Sequence, residues 1–289
     1  MTPSRPLAVI GAAATLIAGT ALGAAAITGG QRDGDQHPNV ALITSYAGGR
    51  LSTCTATLVS PTVLLTAGHC TAGVSGRVGA TFESVIAEQP ASDGSPPVPI
   101  AFSPAGYTDA ELAAAGYLTG TAHTHPGYSS FADPRNWNDV GVVVLDEPVN
   151  DVAPAELAAE GYLDQFTPNI LNETIFTAVG YGTEVRPAES GPQNPTPRPY
   201  PFVRRLADAP GQKLTEQILQ VNSNEKDPRG TGGTCFGDSG GPAFHADHLV
   251  TVTSYSNTQN CRYIAGFQRV DIPVVQGWLA EKFGVTPAG

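Results

Sequence analysis

Ser239 stands between glycines in Gly237-Asp238-Ser239-Gly240-Gly241-Pro242. Flanking glycines leave backbone N–H groups accessible, and such donors stabilise an oxyanion. A serine hydroxyl is a poor nucleophile until a histidine can take its proton. That histidine works well only when a carboxylate fixes its tautomer and stabilises its charged form. Two other segments supply these partners, Thr66-Ala67-Gly68-His69-Cys70 and Asn138-Asp139. The chemistry these residues point to is acyl transfer, with Ser239 as nucleophile, His69 as base and Asp139 as the orienting acid.

The same glycine-flanked serine satisfies the Gly-x-Ser-x-Gly elbow of α/β-hydrolases, which needs its acid and histidine after the serine. Only His245 and His248 follow, within nine residues. That leaves no room for the later strands and loops of that fold, and the flanks lack alternating strands and long helices.

The order His69, Asp139, Ser239 is instead the chymotrypsin order among the unrelated arrangements of this triad. With Cys54 before His69 and Cys235 before Ser239, the chain resembles the trypsin/chymotrypsin-like serine endopeptidases, exported bacterial members included. The likeness runs from about Ile27 to the C-terminal helix. It implies an all-β chain of two six-stranded antiparallel barrels, with His69 and Asp139 from the first and Ser239 from the second.

The resemblance assigns further roles. The Gly237 and Ser239 amides would form the oxyanion hole. Cys54 would pair with Cys70, and Cys235 with Cys261, bridging the walls of the specificity pocket. Gly233 would lie at the pocket base, where members that cut after Lys or Arg carry an aspartate. Ser254-Tyr255-Ser256 would pair with substrate backbone, with Ser256 at the entrance and Ala265 near the inner wall. The pocket would then be uncharged and suited to apolar side chains, with Arg262 nearby in a shortened loop. A mature terminus at Ile27 would send its ammonium to Asp238.

Residues 1–26 carry Arg5, an apolar run and Ala24-Ala25-Ala26, the pattern of a cleaved signal peptide. The alanine- and glycine-rich run and its small-residue end favour cleavage over retention as an anchor. The expectation is a secreted, extracellular monomer with no stable membrane association. Four cysteines suit an oxidising exterior and by themselves allow three pairings. A formal charge of −11, from 15 basic and 26 acidic residues, argues against nucleic acid as a partner. The partner is a polypeptide substrate. No cofactor enters the scheme, and no metal is expected: His123 and His125 share a strand face but lack a third ligand.

Short segments rich in β-branched and aromatic residues must position these groups, among them residues 40–45, 56–59, 62–66, 141–145, 175–179, 243–244 and 249–255. Residues 275–283 follow Pro273 with helical spacing and stop at Gly284, which predicts a terminal helix packed on the second barrel. Residues 154–160 read as a short helix-prone linker. The boundaries expected are 1–26 signal peptide, 27–155 first barrel and 156–289 second barrel. Residues 89–99, 105–118 and 184–201 read as inserted loops, the last rich in proline.

Overall fold

The computed structural model describes residues 27, 29–186, 196–198, 200–224 and 227–287. The signal-peptide reading of 1–26 and the centre of the proline-rich loop lie outside them. Two closed six-stranded antiparallel barrels form the molecule.

The first barrel contains β1 (Val40–Ala47), β2 (Arg50–Ser60), β3 (Val63–Thr66), β4 (Val74–Thr81), β5 (Leu118–Thr124) and β6 (Gly141–Leu145). They close in the order β1-β2-β3-β6-β5-β4. Inside, Ala41, Ile43, Leu58, Leu64, Val78 and Val143 make one core. The β-branched runs that mark these strands are thus what the barrel buries.

The second barrel contains β7 (Ile175–Gly180), β8 (Arg205–Leu214), β9 (Ile218–Asn222), β10 (Pro242–His245), β11 (His248–Ser256) and β12 (Ile264–Arg269). The path β8-β7-β10-β11-β12-β9 is closed by β8 pairing with β9. Its core includes Phe176, Leu219, Val250 and Phe267. A separate apolar cluster drawn from both barrels, including Leu42, Leu65, Val142, Tyr181, Leu249 and Leu279, seals the seam between them.

Three local expectations change. The linker is not helical: Glu156–Leu157 is extended and pairs in parallel with His248–Leu249. Burial of Ala155, Leu157 and Ala158 and the bond from Ala158 N to Leu249 O outweigh alanine's helix preference. Within residues 105–118, α2 (Asp109–Ala114) follows the short α1 (Gly68–Thr71), and a Thr108/Glu111 capping box starts it. After α3 (Pro168–Glu173), the terminal α4 (Pro273–Phe283) has Pro at its start and left-handed Gly284 at its end, as its residues predict. It does not rest on the second barrel alone. Its Trp278 ring lies 5.0 Å from His125 and Phe283 5.6 Å from His123, both on the first-barrel side. Gln276 meanwhile donates to Ala158 O.

At the other end, Gln31–Arg32 pairs with Leu206 and Arg205 of β8, so the N-terminal segment joins the second barrel's sheet. Among the described residues no helix is long and apolar enough to cross a membrane.

Candidate active site

His69 rides on α1, a single turn one residue after β3, and Asp139 lies one residue before β6, which pairs with β3. The barrel's closure therefore brings residues 70 positions apart into contact. Asp139 is fully buried. Its Oδ1 accepts the His69 backbone N–H and its Oδ2 accepts from His69 Nδ1, each at 2.8 Å. A carboxylate can only accept, so Nδ1 carries the proton and Nε2 is the basic nitrogen. Gly68 permits this approach, because a Cβ there would sit 3.1 Å from Val140 N and 3.2 Å from Asp139 Oδ1.

Residues distant in sequence hold Asp139 in place. Ser254 Oγ donates to Asp139 Oδ2 at 2.6 Å and accepts from Trp137 Nε1 at 2.9 Å. The Asp139 amide donates to Gln268 Oε1 at 3.0 Å, and Gln268 Nε2 donates to Gln217 O. Asn138 adopts φ 44°, a region asparagine tolerates better than most residues, and its amide donates to Gln217 Oε1. Ser254 and Asp139 were singled out by resemblance. Gln217 and Gln268 were not, and a glutamine inside an apolar strand such as β12 is the signal that could have exposed one of them.

Ser239 lies in the turn between the second-barrel strands β9 and β10, against the first barrel. Its carbonyl accepts the Thr55 N–H at 2.8 Å, and the Cys70 sulfur sits 3.6 Å from the same oxygen. Because Cys70 is bridged to Cys54, that approach is a packing contact and not a hydrogen bond. Ser239 main chain is thus seated beside the turn that carries His69. Gly237 has φ 100°, and its carbonyl accepts from Thr55 Oγ1 at 2.8 Å. The Phe236 carbonyl accepts the Thr183 N–H at 2.7 Å. In a trans peptide the N–H points opposite to the carbonyl, so this bond directs the Gly237 N–H away from Thr183. Among the described residues, neither the Gly237 nor the Ser239 N–H finds an acceptor.

Asp238 between them is fully buried and faces inward. Gly182 N donates to its Oδ1 at 2.7 Å and Cys235 N to its Oδ2 at 2.8 Å. Desolvation pushes its carboxyl up to about 7, against the two amides and the charge of Arg205, which favour ionisation. Ile27 is also buried, with its side chain against Gly30.

A cavity of about 240 Å³ opens beside Ser239, lined in part by Thr234, Phe236, Ser254, Tyr255, Ser256 and Thr258. Among the described residues no charged side chain lines it. Of the four expected pocket residues it includes Ser254 and Ser256. Gly233 and Ala265 are not in the lining: Gly233 is packed so tightly that a Cβ would fall 2.1 Å from Ser223 Cβ, and Ala265 belongs to the second-barrel core. Thr234 lies at the cavity wall instead, and Arg262 is outside it. A second cavity of about 240 Å³ adjoins Gly237 and Phe236, with Pro96, Pro97 and Val98 of the 89–99 segment among its walls. Phe236, 56% exposed, borders both.

An aromatic row flanks the histidine. Phe131 lies 5.5 Å from His69 and 5.1 Å from Trp137, which lies 5.5 Å from Tyr255. Sequence reasoning missed Phe131, whose segment has no periodicity to mark it. His125, by contrast, is committed to structure: it bonds Val274 O and Gly127 N, and burial lowers its pKa. Cys54, His69 and Cys70 are close enough to resemble a ligand set, but the two sulfurs are bonded to each other. The second disulfide joins Cys235 to Cys261.

The sequence matches the family model described as Trypsin over residues 105–279, more than half of the chain. The chain belongs to the trypsin family. The matched span holds Asp139 and Ser239, and the contact with Asp139 brings His69 to them. Among curated relatives of this trypsin-family chain, Brachyurin of Leptuca pugilator is 26% identical over 241 residues, covering 81% of this chain and 89% of its own. Two solved structures share the fold. HL collagenase has a TM-score of 0.58 at 16% identity, with 88% of this chain and 96% of that one covered. The scabies mite inactivated protease paralogue S-I1 has a TM-score of 0.53 at 17% identity, with 88% and 99% covered.

Proposed function

We propose that this trypsin-family chain is an exported serine endopeptidase that retains turnover and works through an acyl-enzyme. The observation that carries the reading is the His69–Asp139 contact beside Ser239: one buried carboxylate holds both the ring and the main chain of the histidine. Ser239 Oγ attacks the scissile carbonyl as His69 Nε2 takes its proton. The Gly237 and Ser239 amides receive the oxyanion, each worth roughly 3–4 kcal/mol in the transition state. His69 then protonates the leaving amine, and water releases the acyl group.

The uncharged cavity supports cleavage after Leu, Met, Phe or Tyr, and gives a Lys or Arg side chain no carboxylate to meet. The proline-lined cavity across Phe236 supports an apolar residue on the leaving-group side. Export is supported by the leader pattern of 1–26 and by two disulfides. Cleavage after Ala26 would place an ammonium at Ile27 for Asp238.

A binding protein without turnover is the competing reading, and the mite paralogue, described as an inactivated protease, is a precedent for loss of turnover on this fold. An esterase would share the nucleophile and differ in substrate. Digestion of a peptide library by the purified protein, with the products sequenced, separates them. The proposal expects peptide products from the wild type and almost none from Ser239→Ala. Equal turnover by the two proteins would refute it, and ester hydrolysis without peptide cleavage would favour the esterase.

A further inference from the structure

We propose that Trp137 is a positioning residue for the orienting acid: its indole N–H fixes the Ser254 hydroxyl so that the hydroxyl proton points at Asp139. The inference rests on the reading of Ser239 as nucleophile and adds to it a residue that acts through Ser254.

Trp137 Nε1 lies 2.9 Å from Ser254 Oγ, and Ser254 Oγ lies 2.6 Å from Asp139 Oδ2. An indole N–H can only donate, and an ionised carboxylate can only accept. The hydroxyl between them has one proton, so that proton goes to Asp139 and a lone pair of the oxygen takes the indole N–H. Asp139 Oδ2 thus receives two donors, Ser254 Oγ and His69 Nδ1, at 2.6 and 2.8 Å. A hydroxyl that accepts one hydrogen bond donates a stronger one, because the first polarises its O–H. Ser254 and Asp139 are both buried, so solvent does not readily replace a lost donor. Without the indole N–H, the Ser254 hydroxyl is free to rotate away from the carboxylate.

The indole is itself held in place. Its ring lies 5.1 Å from Phe131 and 5.5 Å from Tyr255. The Trp137 carbonyl accepts the Ser129 N–H at 3.3 Å, and the side-chain amide of Asn138, next in the chain, donates to Gly127 O. The segment is closed on itself, and the N–H is delivered from a fixed ring. The bond also crosses the seam between the barrels. Ser254 belongs to β11 of the second barrel, whereas Trp137 and Asp139 precede β6 of the first. Trp137 is outside the lining of the cavity beside Ser239, so its route to the chemistry runs through Ser254 and not through a side chain bound in that cavity.

The test is a double-mutant cycle read by kinetics and by NMR. Trp137→Phe keeps a ring between Phe131 and Tyr255 and removes the N–H. With Ser254 present it lowers kcat for a peptide substrate by about tenfold and leaves KM within about twofold. In the Ser254→Ala background the same substitution changes kcat by less than about twofold, because the group through which it acts is gone. The chain has two tryptophans, so in isotope-labelled Trp278→Phe the single indole N–H resonance belongs to Trp137. Adding Ser254→Ala moves that resonance upfield, as loss of its acceptor requires. This second measurement stands even if Trp137→Phe does not fold. An equal loss of kcat in both backgrounds, or a rise in KM with kcat unchanged, overturns the inference by marking Trp137 as a packing or substrate-wall residue. So does an indole resonance that Ser254→Ala leaves in place. A wild type that cuts no peptide defeats the nucleophile reading before any variant is compared, and the inference falls with it.

Discussion

Asp139 grips His69 twice, taking the ring Nδ1–H on one oxygen and the backbone N–H on the other, both at 2.8 Å. The arrangement sets the tautomer as well as the position. In Asp139→Asn one of the two atoms becomes a donor, so the ring must turn Nδ1 into an acceptor and carry its proton on Nε2. The base is then blocked. The expected result is a fall in kcat of about 10⁴ with an unchanged circular dichroism spectrum.

Gln268 is fully buried and outside the lining of the cavity beside Ser239, and it accepts the Asp139 amide and bonds Gln217. Gln268→Leu leaves those polar partners unanswered in the interior, which costs about 1–3 kcal/mol. Calorimetry should show the lower Tm. Steady-state kinetics should show reduced kcat with little change in KM, since Gln268 positions Asp139 without lining the pocket.

Burial pushes the Asp238 carboxyl up to about 7 in the fold, from its ordinary value of 3.8. Between those values the folded chain holds a proton that the unfolded chain has lost. The stability contributed by this group is therefore full below about pH 4 and is lost as the pH rises through 7, at up to about 1.4 kcal/mol per pH unit. Denaturant unfolding across this range should give a steeper decline for the wild type than for Asp238→Asn. Parallel pH profiles for the two proteins would contradict the assignment.

The missing Cβ at Gly233 faces Ser223 at 2.1 Å, so an aspartate there has no room to stand in the pocket. Gly233→Asp should lower Tm and fail to confer cleavage after Lys or Arg, as judged by product sequencing. New Lys- or Arg-directed cleavage would mean that this residue does face the substrate.

What was legible in the sequence was local. The runs at residues 141–145 and 175–179 became β6 and β7 because β-branched residues fill a barrel wall. Pro273 and Gly284 bounded α4 through their own backbone preferences. The glycine-flanked serine and the histidine beside its cysteine stood out locally, whereas Asp139, one acid among many before an apolar strand, was marked only by the family resemblance. What depended on distant partners stayed hidden. Residues 154–160 form no helix because β11 offers them a pairing edge, and Gly233 and Ala265 miss the cavity because of how Ser223 and the barrel core pack. The Thr108/Glu111 capping box that starts α2 is a local signal carried by the sequence itself.

The central claim is that Ser239, served by His69 and Asp139, is a working nucleophile. A serine-directed phosphonate applied to the purified chain, followed by mass mapping of the adduct, tests it most directly. The account predicts one adduct per molecule, located on Ser239, abolished in Ser239→Ala and slowed by orders of magnitude in Asp139→Asn. A folded wild-type protein that takes up no phosphonate, or takes it up on another residue, would contradict it.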